Sequence, residues 1–137
     1  MKKLKLRSIQ VQSNTYLWKR SHYHATAFEH TECVEKVTIY LEGYKNSPLQ
    51  LIFKEEDNLA KEKWCVGYPD SGVIWRYKDQ EQSPSENIHI NLNRPAVIVM
   101  LITHFIKDKW QPKTANKPLV IENALYLLDT IKLPQGI

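Results

Sequence analysis

IHINLNRPAVIVMLITHFIKDKW, residues Ile88–Trp110, carries the junction on which the architecture turns. Its first part alternates apolar and polar residues, with Ile88, Ile90 and Leu92 in one phase, the period of a half-buried strand. Asn93-Arg94-Pro95 then opens a helix. Asn93 offers a side-chain oxygen to cap free N–H groups, and Pro95 stands in the first turn, where a missing N–H costs nothing. At about 100° per residue, Ile98, Val99, Leu101, Ile102, Phe105, Ile106 and Trp110 share a broad apolar arc, with Lys109 its only intruder. Met100, Thr103, His104, Lys107 and Asp108 gather opposite. So wide an arc predicts a helix over 94–110 laid across a sheet.

Upstream, everything reads as strand and turn. Leu4 and Leu6 share one phase and Ile9 and Val11 the other, which predicts a bend near Arg7-Ser8. Tyr16 and Trp18 mark a second strand. Val37, Ile39 and Leu41 alternate with Thr38, Tyr40 and Glu42, and Leu49, Leu51 and Phe53 alternate on the return. The breakers Gly43 to Pro48 lie between, so the pair is a hairpin. A further hairpin runs from Trp64–Tyr68 to Val73–Tyr77 around Pro69-Asp70-Ser71-Gly72. Lys54 to Lys63 and the polar stretch 79–87 are connections. Downstream, Leu119-Val120-Ile121 could add a strand, and Ala124, Leu125, Leu128 and Ile131 mark a terminal helix over 122–132, stopped by Pro134 and Gly136. The expectation is a single α+β domain over 1–137: an antiparallel, twisted sheet of about six or seven strands with two C-terminal helices on one face.

The chain has 137 residues, 42% of them hydrophobic and 25% charged, enough to bury a core without disulfide or structural metal. Cys33 and Cys65 form no CxxC pair and read as reduced thiols of a cytoplasmic protein. No apolar core follows the basic start, so no secretory leader is expected, and no segment approaches the ~18 apolar residues of a membrane span. The net charge of +4 is uneven. Lys2, Lys3, Lys5, Arg7, Lys19 and Arg20 meet no acid within the first 20 residues, whereas the remainder holds 13 cations against 15 acids. Such a basic edge either guards an open strand or makes a footprint for nucleic-acid phosphates.

Histidines cluster between Ser21 and Cys33. If 22–24 is extended, His22 and His24 lie on one face roughly 6.6 Å apart, and Glu29 or His30 could close a site for a divalent transition metal. His-x-His followed five residues later by Glu is similar to part of the first cupin motif. Tyr16 and Lys36 stand where that motif carries glycines, and the 67–72 turn offers no distal His. The competing reading is an exposed, irregular connection rich in His and Glu. Aromatic residues are numerous on the strands. Tyr40 takes the outward phase of its hairpin, Tyr44 lies in the turn beyond it, and Trp75 stands beside Arg76. Together these four are the candidate binding residues, for a protein partner, a small ligand or a second copy of the chain. No Gly-rich phosphate loop or activated-thiol signature is present.

Asn91-Leu92-Asn93-Arg94-Pro95-Ala96-Val97, then Leu101-Ile102, Trp110, Pro112 and Pro118 to Asn123, resembles a pattern in a group of small uncharacterised bacterial proteins. Some of these are passengers in the mobile gene cassettes of integrons. The likeness covers roughly residues 15–130 and includes the Val37–Phe53 hairpin and Trp75. It implies a compact bacterial cytoplasmic domain with an accessory role, and it transfers no catalytic residue.

Two functional expectations follow. One is a non-enzymatic binding or protein-interaction module without cofactor, plausible as a homodimer. The alternative is a small cupin-like metal enzyme using His22, His24 and Glu29. Truncating Leu101 or Ile102 to Ala is expected to cost ~2–5 kcal/mol, read as a lowered urea midpoint, if the helix is core.

Overall fold

A computed structural model describes residues 6–27, 30–54, 64–66, 72–77, 84–122 and 124–131. Alternating strands come first: β1 (Arg7–Val11), β2 (Asn14–Ala27), β3 (His30–Leu41) and β4 (Leu49–Lys54). They are followed by β5 (Trp64–Val66), β6 (Val73–Tyr77) and β7 (Pro84–Asn91). Helix α1 (Pro95–Ile106), the short α2 (Pro112–Ala115), β8 (Leu119–Ile121), a 3-10 turn (Ala124–Tyr126) and α3 (Leu127–Thr130) complete the chain.

The α+β class holds, and its finer form differs from expectation. There are two sheets, one of five strands in the order β1-β2-β3-β4-β8 and one of three in the order β5-β6-β7. The larger sheet is mixed, not antiparallel throughout, because β8 runs parallel to β4, with Leu49 opposite Leu119 and Leu51 opposite Ile121. The chain reaches that edge only after crossing through α1 and α2, and a parallel pair requires such a crossover. The expected terminal helix over 122–132 is a 3-10 turn and a single α-turn. α1 begins where predicted but ends at Ile106, short of the expected 110, and Arg94, not Asn93, occupies the N-cap, without a side-chain cap.

The long hairpin β2–β3 is the largest departure. Its pairing runs unbroken from Tyr16–Leu41 through Trp18–Ile39, Arg20–Val37 and His22–Glu35 to Ala27–His30. The histidine-rich segment is therefore strand, not an irregular connection. Extended pairing joins backbone N–H and C=O groups whatever the side chains, so polar residues on these strands do not end them. The bend expected at Arg7-Ser8 is absent too. β1 pairs in register from Arg7–Trp18 to Val11–Asn14, and Leu6 lies exposed before it.

Parity now assigns the faces. Tyr16 and Trp18 on β2, Val37, Ile39 and Leu41 on β3, and Leu49, Leu51 and Phe53 on β4 are all buried. They form one core with Val97, Ile98, Leu101, Ile102 and Phe105 of α1, with Ile74 and Ile90 of the smaller sheet and with Leu92 just after it. Trp110 closes the far end, its ring 5.8 Å from Tyr16 and its Nε1–H donating to the Ser47 carbonyl at 2.9 Å. No helix among the described residues is long and apolar enough to cross a membrane.

The two-residue β1–β2 turn places Gln12 at φ 50 and Ser13 at φ 71, both left-handed. Only turns of that hand match the twist of the strands they join, and a side chain there costs about 1–2 kcal/mol. Ser13→Gly is expected to stabilise by about 1 kcal/mol, a rise of about 3 °C in melting temperature.

Candidate functional site

The inner face of the five-stranded sheet changes character along β2 and β3. Beyond Trp18 and Ile39 the inward positions become Arg20, His22 and Glu35. Glu35 is completely buried, with Arg20 and His22 one-fifth exposed beside it. Arg20 Nη1 donates to Glu35 Oε2 at 3.1 Å, and His22 Nδ1 contacts Glu35 Oε1. Arg20 Nε donates to Asn93 Oδ1 at 2.6 Å, and Arg7 reaches the Asn93 carbonyl at 3.2 Å while lying 4.8 Å over the Trp18 ring. A buried carboxylate is tolerated only when its charge is met and its oxygens accept hydrogen bonds. Here both oxygens are engaged. The network ties two neighbouring strands to the loop entering α1.

Gly72 completes it. Its φ is +84, and a Cβ there would stand 2.5 Å from Asn93 Nδ2 and 2.6 Å from Arg20 Nε. Its carbonyl accepts from the Leu92 N–H at 2.7 Å. Glycine is thus needed twice over, for backbone hand and for space.

The outer face follows the opposite logic. Leu17, Lys19, Ser21 and Tyr23 on β2 pair with Tyr40, Thr38, Lys36 and Val34 on β3. Thr38, Lys36 and Val34 pair in turn with Gln50, Ile52 and Lys54 on β4. Between these pairs the face carries no carboxylate; in the same phase Glu32 holds the register position opposite Ala25 at one end, and Glu42 is exposed just beyond Leu41 at the other. Both ion pairs among the described residues end on Glu35, and Lys19, Lys36 and Lys54 belong to neither. Lys36 is diagonal to both Lys19 and Lys54, so the three cations make one row with steps of roughly 7–8 Å. Tyr40 and Leu17 are half-buried at one end, and Tyr23 is exposed at the other.

The residues singled out from sequence fare differently. Tyr40 takes the outward position predicted for it. Tyr44 is exposed in the β3–β4 turn, at a cavity of about 190 Å³ lined also by Lys45, Asn46, Lys113 and Asn116. Trp75 and Arg76 pair with Cys65 and Trp64 on β6–β5, and their side chains lie outside the described residues. His22 is on the inner face, held by Glu35. His24 and His30 occupy register positions opposite Cys33 and Ala27; their side chains, and Glu29 altogether, lie outside the described residues. Among the described residues no group of three His, Cys, Asp or Glu side chains converges. His89 is buried on β7. His104 is half-buried, with Lys109 Nζ 3.2 Å from its Nε2. Burial first, then Lys109 and Lys107, holds its pKa below the usual imidazole value against a smaller opposing effect of Asp108.

The basic edge read from the sequence is dispersed. Arg7 and Arg20 serve the inner network, and only Lys19 joins the outer row. Arg20 and Glu35 were missed, although both keep the phase of buried strand residues. A charged residue in phase with Tyr16-x-Trp18 or with Val37-x-Ile39 is the signal that would have found them.

Comparison of the chain with protein-family models, with curated proteins and with solved structures finds no match in any of the three.

Arg20→Met strands the Glu35 carboxylate in the core and is expected to cost about 3–5 kcal/mol in urea unfolding. Lys19→Met, one residue away on the other face, should stay within about 0.5 kcal/mol. Gly72→Ala should cost about 2 kcal/mol.

Proposed function

We propose that this chain is a non-enzymatic binding module whose outer sheet face receives a negatively charged partner. The observation that carries this reading is the row Lys19–Lys36–Lys54, in no ion pair among the described residues and bordered by Leu17, Tyr40, Ile52 and Tyr23. Cations standing among half-buried apolar side chains are desolvated cheaply by a partner that supplies the opposite charge. Interface centres favour aromatic rings, and Tyr40 supplies one. A second copy of the chain is the poorer occupant, because two-fold apposition would bring lysine rows together. The inner network has a structural task, since Glu35 spends both oxygens on Arg20 and His22. An accessory protein of a mobile cassette would suit such a module.

A second reading keeps a divalent transition metal. The register sets Glu35 opposite His22 and Cys33 opposite His24, so four residues of metal-ligating type occupy neighbouring pairs of one ladder. A metal-free preparation that takes up no Zn²⁺, Fe²⁺ or Ni²⁺ ends that reading.

The anionic-partner reading is tested by comparing two charge-reversal triples of equal net charge. Lys19→Glu, Lys36→Glu and Lys54→Glu combined should sharply lower the salt needed to elute the protein from immobilised heparin. The control triple Lys107→Glu, Lys109→Glu and Lys117→Glu, all exposed positions elsewhere, should lower it far less. Equal shifts in the two triples would reject the outer face as the contact.

A further inference from the structure

Resting on the binding reading above, we infer that the partner of the outer face is single-stranded nucleic acid. Two features of that face and one in the turn at its end select it over an acidic protein. First, the cations are in line: Lys19, Lys36 and Lys54 cross β2, β3 and β4 on one diagonal, spanning roughly 15 Å. A linear polyanion meets such a row repeatedly, whereas carboxylates on a folded surface have no reason to be collinear. Second, tyrosines stand at both ends. Tyr40 is opposite Leu17, six residues along β2 from Tyr23, so the two rings are separated by roughly 20 Å of strand. A platform of that length with stacking rings and intervening cations has room for about four nucleotides. Every base has a π-face, so such a platform holds a strand whatever its sequence.

Third, the turn beyond Tyr40 continues the same chemistry. Tyr44 and Lys45 border the cavity of about 190 Å³ together with Asn46, Lys113 and Asn116. That volume falls below the roughly 300 Å³ at which sites for whole cofactors begin, and it takes a single planar or anionic group. The side-chain amides offer donors and acceptors to a base edge, and the two lysines meet a phosphate. Duplex DNA is a poor fit, since its major groove admits a helix or a two-stranded ribbon and not the face of a five-stranded sheet.

Fluorescence anisotropy with labelled oligo-dT and oligo-U tests the inference, against a blunt duplex of equal length, heparin and a poly-glutamate peptide. Both single strands should bind more tightly than the duplex and the peptide. The slope of log K against log salt should be about −2, as for three phosphates neutralised on a single strand. Tyr40→Ser should weaken oligo-dT binding about tenfold or more and leave heparin binding unchanged, while Tyr40→Phe keeps the ring and the affinity. The melting temperature of each variant controls for folding.

If poly-glutamate binds as tightly as oligo-dT and Tyr40→Ser alters neither, the nucleic-acid inference is overturned and the anionic-partner reading survives. If no polyanion binds at low ionic strength, both fall together.

Discussion

A carboxylate with no exposure to water is the constraint from which the rest of this structure follows. Glu35 sits in a column that is otherwise Val37, Ile39 and Leu41, and an isolated charge there would cost several kcal/mol. Compensation by Arg20 and His22 requires β2 to continue past its apolar part, in register with β3. Arg20 in turn holds Asn93, at the entrance to α1, and Asn93 leaves room only for glycine at position 72. A single buried charge thus coordinates the two sheets and the helix start. Such pairs add little net stability but penalise wrong registers heavily, because a slip of one residue would leave the charge unmet.

The two faces of the main sheet have divided the charge between them. Inside, cations are matched, hydrogen-bonded and immobile. Outside, Lys19, Lys36 and Lys54 are unmatched among half-buried neighbours. Thr38, flanked in the ladder by Lys19 and Gln50, is buried on this face, as expected where long aliphatic stems lie flat around a short side chain.

Much of the architecture was legible wherever side-chain period was clean. The Val37–Phe53 hairpin, the Trp64–Tyr77 hairpin and α1 stand where alternation and helical spacing put them. The misses share one cause, that pairing is non-local. His22, His24 and Glu35 look like loop chemistry until β3 is laid against β2. Leu119-Val120-Ile121 carries no mark of a parallel partner 70 residues away. The terminal helix is cut to a 3-10 turn and one α-turn because the backbone is already extended at Ile131. Of the candidate site, Tyr40 was visible from parity alone. The lysine row was not: its members lie 17 and 18 residues apart, and only the register of three strands makes them neighbours.

The parallel edge has a consequence for the newborn chain. Until β8 docks, β4 presents an open ladder of N–H and C=O groups beside Leu49, Leu51 and Phe53, and roughly 65 residues must leave the ribosome between the two strands. Throughout that interval the nascent polypeptide displays a sticky seam able to recruit foreign strands. The last three-residue ribbon therefore acts as a latch, and a ribosome stalled near Pro118 would release a product prone to clumping although nearly all its apolar interior had already been synthesised.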